Sequence, residues 1–368
     1  MAAETRYPEI TVSGAPRELG RQIGEVLREP IRAFCGVAME RVNRLVKISR
    51  PAAMQIAEES IPYAQHYCPD SLEELQGTAE AVGVSLADLM LLQIRNQLRP
   101  IEGGCTSFSI GQPRRAERMV AQNWDSDPAL DDFTVVLTRR PTGKVGFTTI
   151  TQAGLIAYIG FNEAGLGLCA NTLPAPTKRL GVPHYFLLRG ILESSSLDQA
   201  VAAVRRAERA MPANVMLTTP QGPADLEITV DSVKLLTGEG LGIVTHTNHC
   251  LHPSLRPIND AFPELIQSHS RQTRIDQLLV ANETSAASAH SSIETIKQAL
   301  RDHDNYPRSI CRHTNDDEPT GYWKTVFSVI IEPEQQQMHI SRGNPCTEPY
   351  ETYAATGSSP PRRMTGLE

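Results

Sequence analysis

With 368 residues, 40% hydrophobic and 21% charged, the chain has the composition of a folded globular protein long enough for one large core. A formal net charge of -7 and scattered Arg-Arg pairs, such as Arg114-Arg115, Arg139-Arg140 and Arg205-Arg206, give no basic face for nucleic acid. No apolar run approaches transmembrane length, the first residues lack the apolar stretch of a secretory signal, and Gly366-Leu367-Glu368 is not a peroxisomal signal, so no membrane partner and a cytoplasmic location are expected.

The first hundred residues read as helical. Pro16 to Val46 has apolar residues at helical spacing (Leu19, Ile23, Val26, Leu27, Ile31), with Pro30 as the point where it kinks or splits. Ser71-Leu72-Glu73-Glu74 has the form of a capping box before Leu75, Ala79 and Val82, and Gly83 stops that helix. Ser85 to Asp88 resembles a second cap, before Leu89, Leu92 and Ile94.

From Cys105 the period moves towards two. Short β-like runs cover Cys105–Ile110, Met119–Asn123, Phe133–Arg139, Phe147–Gln152, Ile156–Gly160 and Leu166–Asn171. A helical stretch follows from Pro183 to about Ala207, restarted by the Ser196 capping box. Strands return at Asn214–Thr219, Asp225–Val230 and Ile243–Thr247, then helices near Pro263–Val280 and Ser291–Arg301. Val326–Ile331 and Met338–Ser341 close as a hairpin. Residues 356–368 are polar and Pro-rich, and disorder is expected there. This order predicts mostly antiparallel sheets with helices on their outer faces, an α+β fold.

Seven cysteines, an odd number with no metal-ligand or redox spacing, predict a reducing compartment with mostly buried thiols. Cys105 stands apart because Gly103 and Gly104 precede it and a β-like run follows. Glycines leave a carbonyl open to attack and admit unusual backbone conformations. If the Gly104–Cys105 bond breaks, Cys105 carries a thiol and a free α-amine, a nucleophile with its own base. A turn followed by a buried cysteine is the plainer alternative. Asp125, at the end of the second β-like run, comes back towards the start of the first if the two form a hairpin. It would then orient that amine; its other reading is the opening residue of the turn Asp125-Ser126-Asp127-Pro128.

In Thr245-His246-Thr247-Asn248-His249-Cys250, the Asn248 amide is a candidate oxyanion donor. His246, His249 and His252 recur every third residue, but loop-forming Asn248 and Pro253 give them no helix face to share, so no metal is expected. Arg312 offers a bidentate partner for a substrate carboxylate, or lies at the surface near a helix end. Cys311 and His313 are too close in sequence for a protease dyad. Nucleophile-elbow, P-loop and dinucleotide-binding patterns are missing.

Taken in order, these segments resemble the penicillin acyltransferase family of N-terminal-nucleophile hydrolases, to which isopenicillin-N acyltransferases belong. The resemblance begins with Gly14 to Gly24 and runs through Glu80 to Leu92 and Gly104-Cys105-Thr106. It continues in Gln122-Asn123-Trp124-Asp125, Gly181-Val182-Pro183, His246 to Cys250, Asp304 to Pro307, Ser309 to Arg312 and Gly343-Asn344-Pro345. It implies an αββα four-layer sandwich with a helical N-terminal segment. It also implies self-cleavage between Gly104 and Cys105 into a fragment of residues 1–104 and a larger one, residues 105–355 forming its catalytic core, which stay associated. By the same resemblance Cys105 is the nucleophile, Asn248 an oxyanion-hole amide, Asp125 a positioning carboxylate and Arg312 a residue at or near the substrate pocket. The implied activity is acyl transfer or hydrolysis on small-molecule N-acyl amides or acyl thioesters, with acyl-coenzyme A as a candidate co-substrate and no bound cofactor. The alternatives are an N-acyl amino acid or β-lactam side-chain amidase that uses water alone, and a non-catalytic relative. Fungal penicillin-forming members end in a peroxisomal signal, and this chain departs from them there.

Overall fold

The computed structural model describes residues 6–44, 46–98, 103–111, 118–238, 241–279 and 292–355; the expected disordered tail at 356–368 lies outside them. The chain opens with β1 (Glu9–Gly14), then α1 (Pro16–Val26), α2 (Arg28–Asn43), α3 (Arg50–Tyr67), α4 (Pro69–Val82) and α5 (Leu86–Ile94). There follow β2 (Gly104–Ile110), β3 (Met119–Ser126), β4 (Thr134–Pro141), β5 (Phe147–Gln152), β6 (Ile159–Asn162) and β7 (Gly167–Asn171). Next come α6 (His184–Leu192), α7 (Leu197–Arg205), β8 (Ala213–Thr219), β9 (Gly222–Ile228), β10 (Val233–Thr237) and β11 (Ile243–His246). The chain closes with α8 (Ser268–Leu279), α9 (Ile293–Leu300), β12 (Lys324–Glu332), β13 (Gln337–Arg342) and β14 (Tyr350–Ala354).

Eight strands form one sheet, in the order β1-β4-β5-β6-β7-β8-β9-β10; six form the other, β11-β2-β3-β12-β13-β14. The sheets stack face to face through β2 and β3 against β7 and β8. Helices α1, α6 and α7 lie on the outer face of the first sheet, with α2 to α5 packed on them, and α8 and α9 cover the second. Helices thus flank two stacked sheets, the expected αββα order.

Alternation along β2 divides its side chains between two cores. Phe108 and Ile110 pack with Ile275, Leu279 and Ile296 under α8 and α9. Cys105 belongs to the core between the sheets, and on the same alternate set Ser107 Oγ accepts from Asn171 Nδ2 of β7 at 2.9 Å. The nucleophile candidate therefore starts a central strand and faces the interior between the sheets.

Three differences from the sequence reading have physical causes. β1 pairs in parallel with β4, so the N-terminal segment is part of the first sheet as well as a helical layer. The long first helix breaks at Leu27, which puts Pro30 in the first turn of α2, where its missing N–H costs no helical bond. The Ser71 box does not form, because Pro69 sets the start of α4 two residues earlier and Glu74 is drawn inwards. The box at Ser85–Asp88 is present, whereas Ser196 caps α7 without the reciprocal half of its box, because Gln199 Oε1 accepts from the Ser195 N–H instead.

Glu74 joins the N-terminal helices to the rest of the molecule. Its carboxylate accepts from Arg139 Nε of β4 at 2.7 Å and from Arg189 of α6 at 2.9 Å, and all three side chains are no more than 2% exposed. Removing one member of a buried ion cluster leaves the others charged without compensation, which costs roughly 3–5 kcal/mol. Glu74→Ala is expected to lower unfolding stability by about that amount, and Glu74→Gln by less, in urea denaturation followed by circular dichroism. An unchanged midpoint for Glu74→Ala would remove Glu74 from the account of what holds the two parts together.

Candidate active site

The approach to Cys105 admits only glycine. Gly103 has φ +67°, and a Cβ there would stand 2.6 Å from the Asp125 carbonyl oxygen. A Cβ on Gly104 would meet Cγ1 of Ile266 at 2.5 Å. Ile266 is itself buried with a positive φ of 37° and has little room to withdraw.

The Gly104–Cys105 peptide is held from its flanks. The Cys105 N–H donates to Asn248 Oδ1 at 2.9 Å. Arg271 of α8 donates to the Cys105 carbonyl at 2.6 Å, to Thr106 Oγ1 at 3.0 Å and to Asn248 Oδ1 at 2.8 Å. Two donors on Oδ1 fix the orientation of the Asn248 amide. Its Nδ2 therefore points the other way and donates to the Thr172 carbonyl at 2.8 Å. Thr172 and Cys105 line the same cavity.

The Cys105 thiol is buried. Sγ lies 3.7 Å from the Ala170 carbonyl. Burial pushes its pKa well above the usual thiol range and the charge of Asp125 adds to this, against smaller opposing effects of Gln122 and Arg271. Asp125 is paired with Gly104 across β2 and β3. Its Oδ1 accepts from Thr325 Oγ1 at 2.7 Å, and its buried Oδ2 accepts no hydrogen bond among the described residues. Burial raises this carboxyl to about 6, although Arg271, Thr325 and Arg312 pull it down.

The structure thus gathers Gly104, Cys105, Asp125 and Asn248 around one peptide bond. Arg312 takes a different place. It is fully buried, donates to Gln267 Oε1 at 2.9 Å and to Asp317 at 3.2 Å, and does not line the cavity. Its backbone N–H donates to Thr325 Oγ1, the hydroxyl that holds Asp125.

Several contributors escaped the sequence reading. Arg271 sits in the expected helix near Pro263–Val280, among other polar residues. Glu227 braces the loop that carries Asn248: its carboxylate accepts from the backbone N–H groups of Leu251 and His252 and lies 3.0 Å from His246 Nε2. The other His246 nitrogen faces the Thr247 carbonyl at 2.9 Å, so both ring nitrogens meet acceptors and the imidazolium is favoured. Burial opposes that charge, but Asp225 and Glu227 outweigh it and raise the His246 pKa. Ser268 Oγ accepts the Asn248 N–H at 2.8 Å. The signal available in sequence was Asp225 and Glu227, two carboxylates on one face of an otherwise apolar strand. His249 and His252 turn to Ser268 and Ser254 respectively, so the three spaced histidines do not converge.

The cavity at Cys105 is narrow. Its free space is about 20 Å³, room for one water, between Trp124, Tyr158, His184 and Tyr185. A larger cleft of about 530 Å³ lies between α3 and α7, lined by Tyr63, His66, Tyr67 and Arg206. It shares no residue with the first, which is the space that Cys105 lines. Among the described residues, no helix is long and apolar enough to cross a membrane.

Residues 113–347 match the sequence profile described as acyl-coenzyme A:6-aminopenicillanic acid acyl-transferase. The chain is 27% identical over 359 residues to the 40 kDa form of the acyl-coenzyme A:6-aminopenicillanic-acid-acyltransferase of Emericella nidulans, covering 95% of this chain and 96% of that one. It is 24% identical over 227 residues to a beta-alanyl-dopamine/carcinine hydrolase of Drosophila melanogaster, covering 54% of this chain and 57% of the fly protein. Among solved structures, penicillin V acylase from Agrobacterium tumefaciens superposes with a TM-score of 0.50 at 14% identity, over 69% of this chain and 87% of that one.

Proposed function

The chain belongs to the acyl-coenzyme A:6-aminopenicillanic acid acyl-transferase family, and on that premise we propose that it is a self-processing cysteine acyltransferase or amidohydrolase with Cys105 as nucleophile. The observation that carries this reading is the Gly104–Cys105 peptide, glycine-flanked at the start of β2, with Asn248 on its N–H and Asp125 opposite.

Self-cleavage begins when Sγ adds to the Gly104 carbonyl. The C–N bond breaks, the Cys105 nitrogen takes a proton, and water hydrolyses the thioester to leave a Gly104 carboxylate and a free Cys105 amine. Asp125 is the ladder partner of the neighbouring Gly104, and its buried Oδ2, which accepts no hydrogen bond among the described residues, leaves a carboxylate near the new amine. In turnover the amine accepts the thiol proton and Sγ adds to the carbonyl of an amide or acyl thioester. Nδ2 of Asn248 carries a second hydrogen beyond the one given to Thr172 and donates it to the oxyanion. The leaving amine or thiol departs with the proton held on Cys105, and an amine or water then takes the acyl group from sulfur. Acyl-coenzyme A fits as a donor because it is itself a thioester. Arg312 acts here from behind Asp125, as a positioning residue.

The intact chain has room for about one water at Cys105, so the substrate space must open with cleavage. The buried Glu74 cluster and the β1–β4 pairing span the cut and hold the fragments together. The fly relative is a hydrolase, which favours water as one acceptor.

Denaturing electrophoresis of the purified protein is expected to give two fragments, the larger beginning at Cys105 by N-terminal sequencing. Incubation with acyl-coenzyme A or N-acyl amino acids, with and without an added amine, then separates transfer from hydrolysis by its products. An unbroken chain with full activity would overturn the mechanism.

A further inference from the structure

Four metal-ligand side chains from three separate segments meet on the far side of Arg312. His303 follows α9, Cys311 and His313 lie in the segment leading to β12, and Cys346 lies in the turn after β13. One ligand atom from each lies within 4.8 Å of all the others. His303 Nε2 and His313 Nε2 are 3.2 Å apart, and the His313 nitrogen is 3.7 Å from Cys311 Sγ and 3.5 Å from Cys346 Sγ.

These separations have the size of tetrahedral edges. With Zn–N of about 2.0–2.1 Å and Zn–S of about 2.3 Å, a tetrahedral site has N···N edges of about 3.3 Å and N···S edges of about 3.6 Å. Hydrogen bonding does not explain the arrangement as well. One ring nitrogen bears either one hydrogen or one lone pair, yet His313 Nε2 faces three partner atoms at once. An ion at the centre satisfies all four. The surroundings fit too: Asn344 Nδ2 donates to Cys311 Sγ at 3.4 Å and to the Arg312 carbonyl at 2.8 Å, the kind of outer contact that orients a thiolate ligand.

We propose that His303, Cys311, His313 and Cys346 bind one zinc ion in a closed, structural Cys2His2 site. Two thiolates and two imidazoles select zinc over the hard cations. Four protein ligands leave no position for substrate, so the ion acts on the fold. It ties the Cys311–His313 segment to the turn after β13. Arg312 stands between two of the ligands, and its N–H holds Thr325 against Asp125. The site needs neither self-cleavage nor acyl transfer to exist.

Metal analysis of full-length protein from zinc-supplemented cells is expected to give about one zinc per chain. Cys346→Ser and His303→Asn are each expected to reduce this to background. Replacing the zinc by Co2+ is expected to give thiolate-to-cobalt charge-transfer and tetrahedral d–d absorption, weakened in Cys346→Ser. If either variant fails to fold, the content and cobalt spectrum of the unaltered protein decide. Folded protein without zinc, a metal-free protein with a Cys311–Cys346 disulfide, or zinc content unchanged in both variants would each overturn the proposal.

Discussion

Cys105→Ala is expected to accumulate as one unbroken chain and to lose acyl-transfer activity by on the order of 10⁶-fold, the scale on which enzymes fail when their nucleophile is removed. Both losses have one cause. Sγ is the atom that adds to the Gly104 carbonyl, and the same atom later carries the acyl group. The substitution is mild for the fold: Cys105 is buried, its Sγ lies a long 3.7 Å from the Ala170 carbonyl, and alanine keeps the Cβ. Circular dichroism should therefore match the unaltered protein while electrophoresis and turnover do not. Cys105→Ser refines the test. A hydroxyl can still shift the acyl group from nitrogen to oxygen, so slow cleavage is expected, with turnover well below that of the thiol because the oxygen is the poorer nucleophile. Full processing of Cys105→Ala would move the cleavage to another residue and the nucleophile with it.

Much of this site was legible in the residues because its signals are local. Gly103-Gly104 before Cys105 advertises a backbone that a Cβ would obstruct, and the structure gives the two obstructions as the Asp125 carbonyl and the Ile266 side chain. The return of β3 beside β2 follows from two adjacent β-like runs, and it alone brings Asp125 to Gly104. Arg271 could not be found this way. It reaches Cys105 from 166 positions away through the packing of α8 on β2, and nothing in Ser268 to Leu279 distinguishes it from the other polar residues of that helix. The Ser71 box failed for a related reason: the local pattern was right, but Arg139 and Arg189 claimed Glu74. The edge strands β1, β10 and β14 were missed because they are half-exposed, and their alternation is diluted by polar residues. The Cys2His2 cluster joins His303, Cys311 and His313 to Cys346, which the fold brings in from 33 positions beyond His313, and their spacing matches no common metal motif.

Asn248→Ala is expected to lower kcat by about 10²–10³, the usual effect of deleting one oxyanion donor. KM should change less, because Nδ2 meets the oxygen most strongly once it bears charge. Asn248→Asp is the sharper variant. It keeps the shape of the side chain but replaces the donor by a carboxylate oxygen, which repels both the oxyanion and the Thr172 carbonyl that Nδ2 now contacts. Its remaining activity should be no higher than that of the alanine variant, although it can still accept from Cys105 N–H and Arg271. This pair separates two roles of one side chain. If Asn248 served only to hold the Cys105 nitrogen, aspartate would preserve that bond and outperform alanine. If it donates to the oxyanion, aspartate gains nothing from the bond it keeps. Steady-state rates on the processed fraction of each variant decide between them, and a kcat for Asn248→Asp within about threefold of the unaltered protein would remove Asn248 from the oxyanion hole.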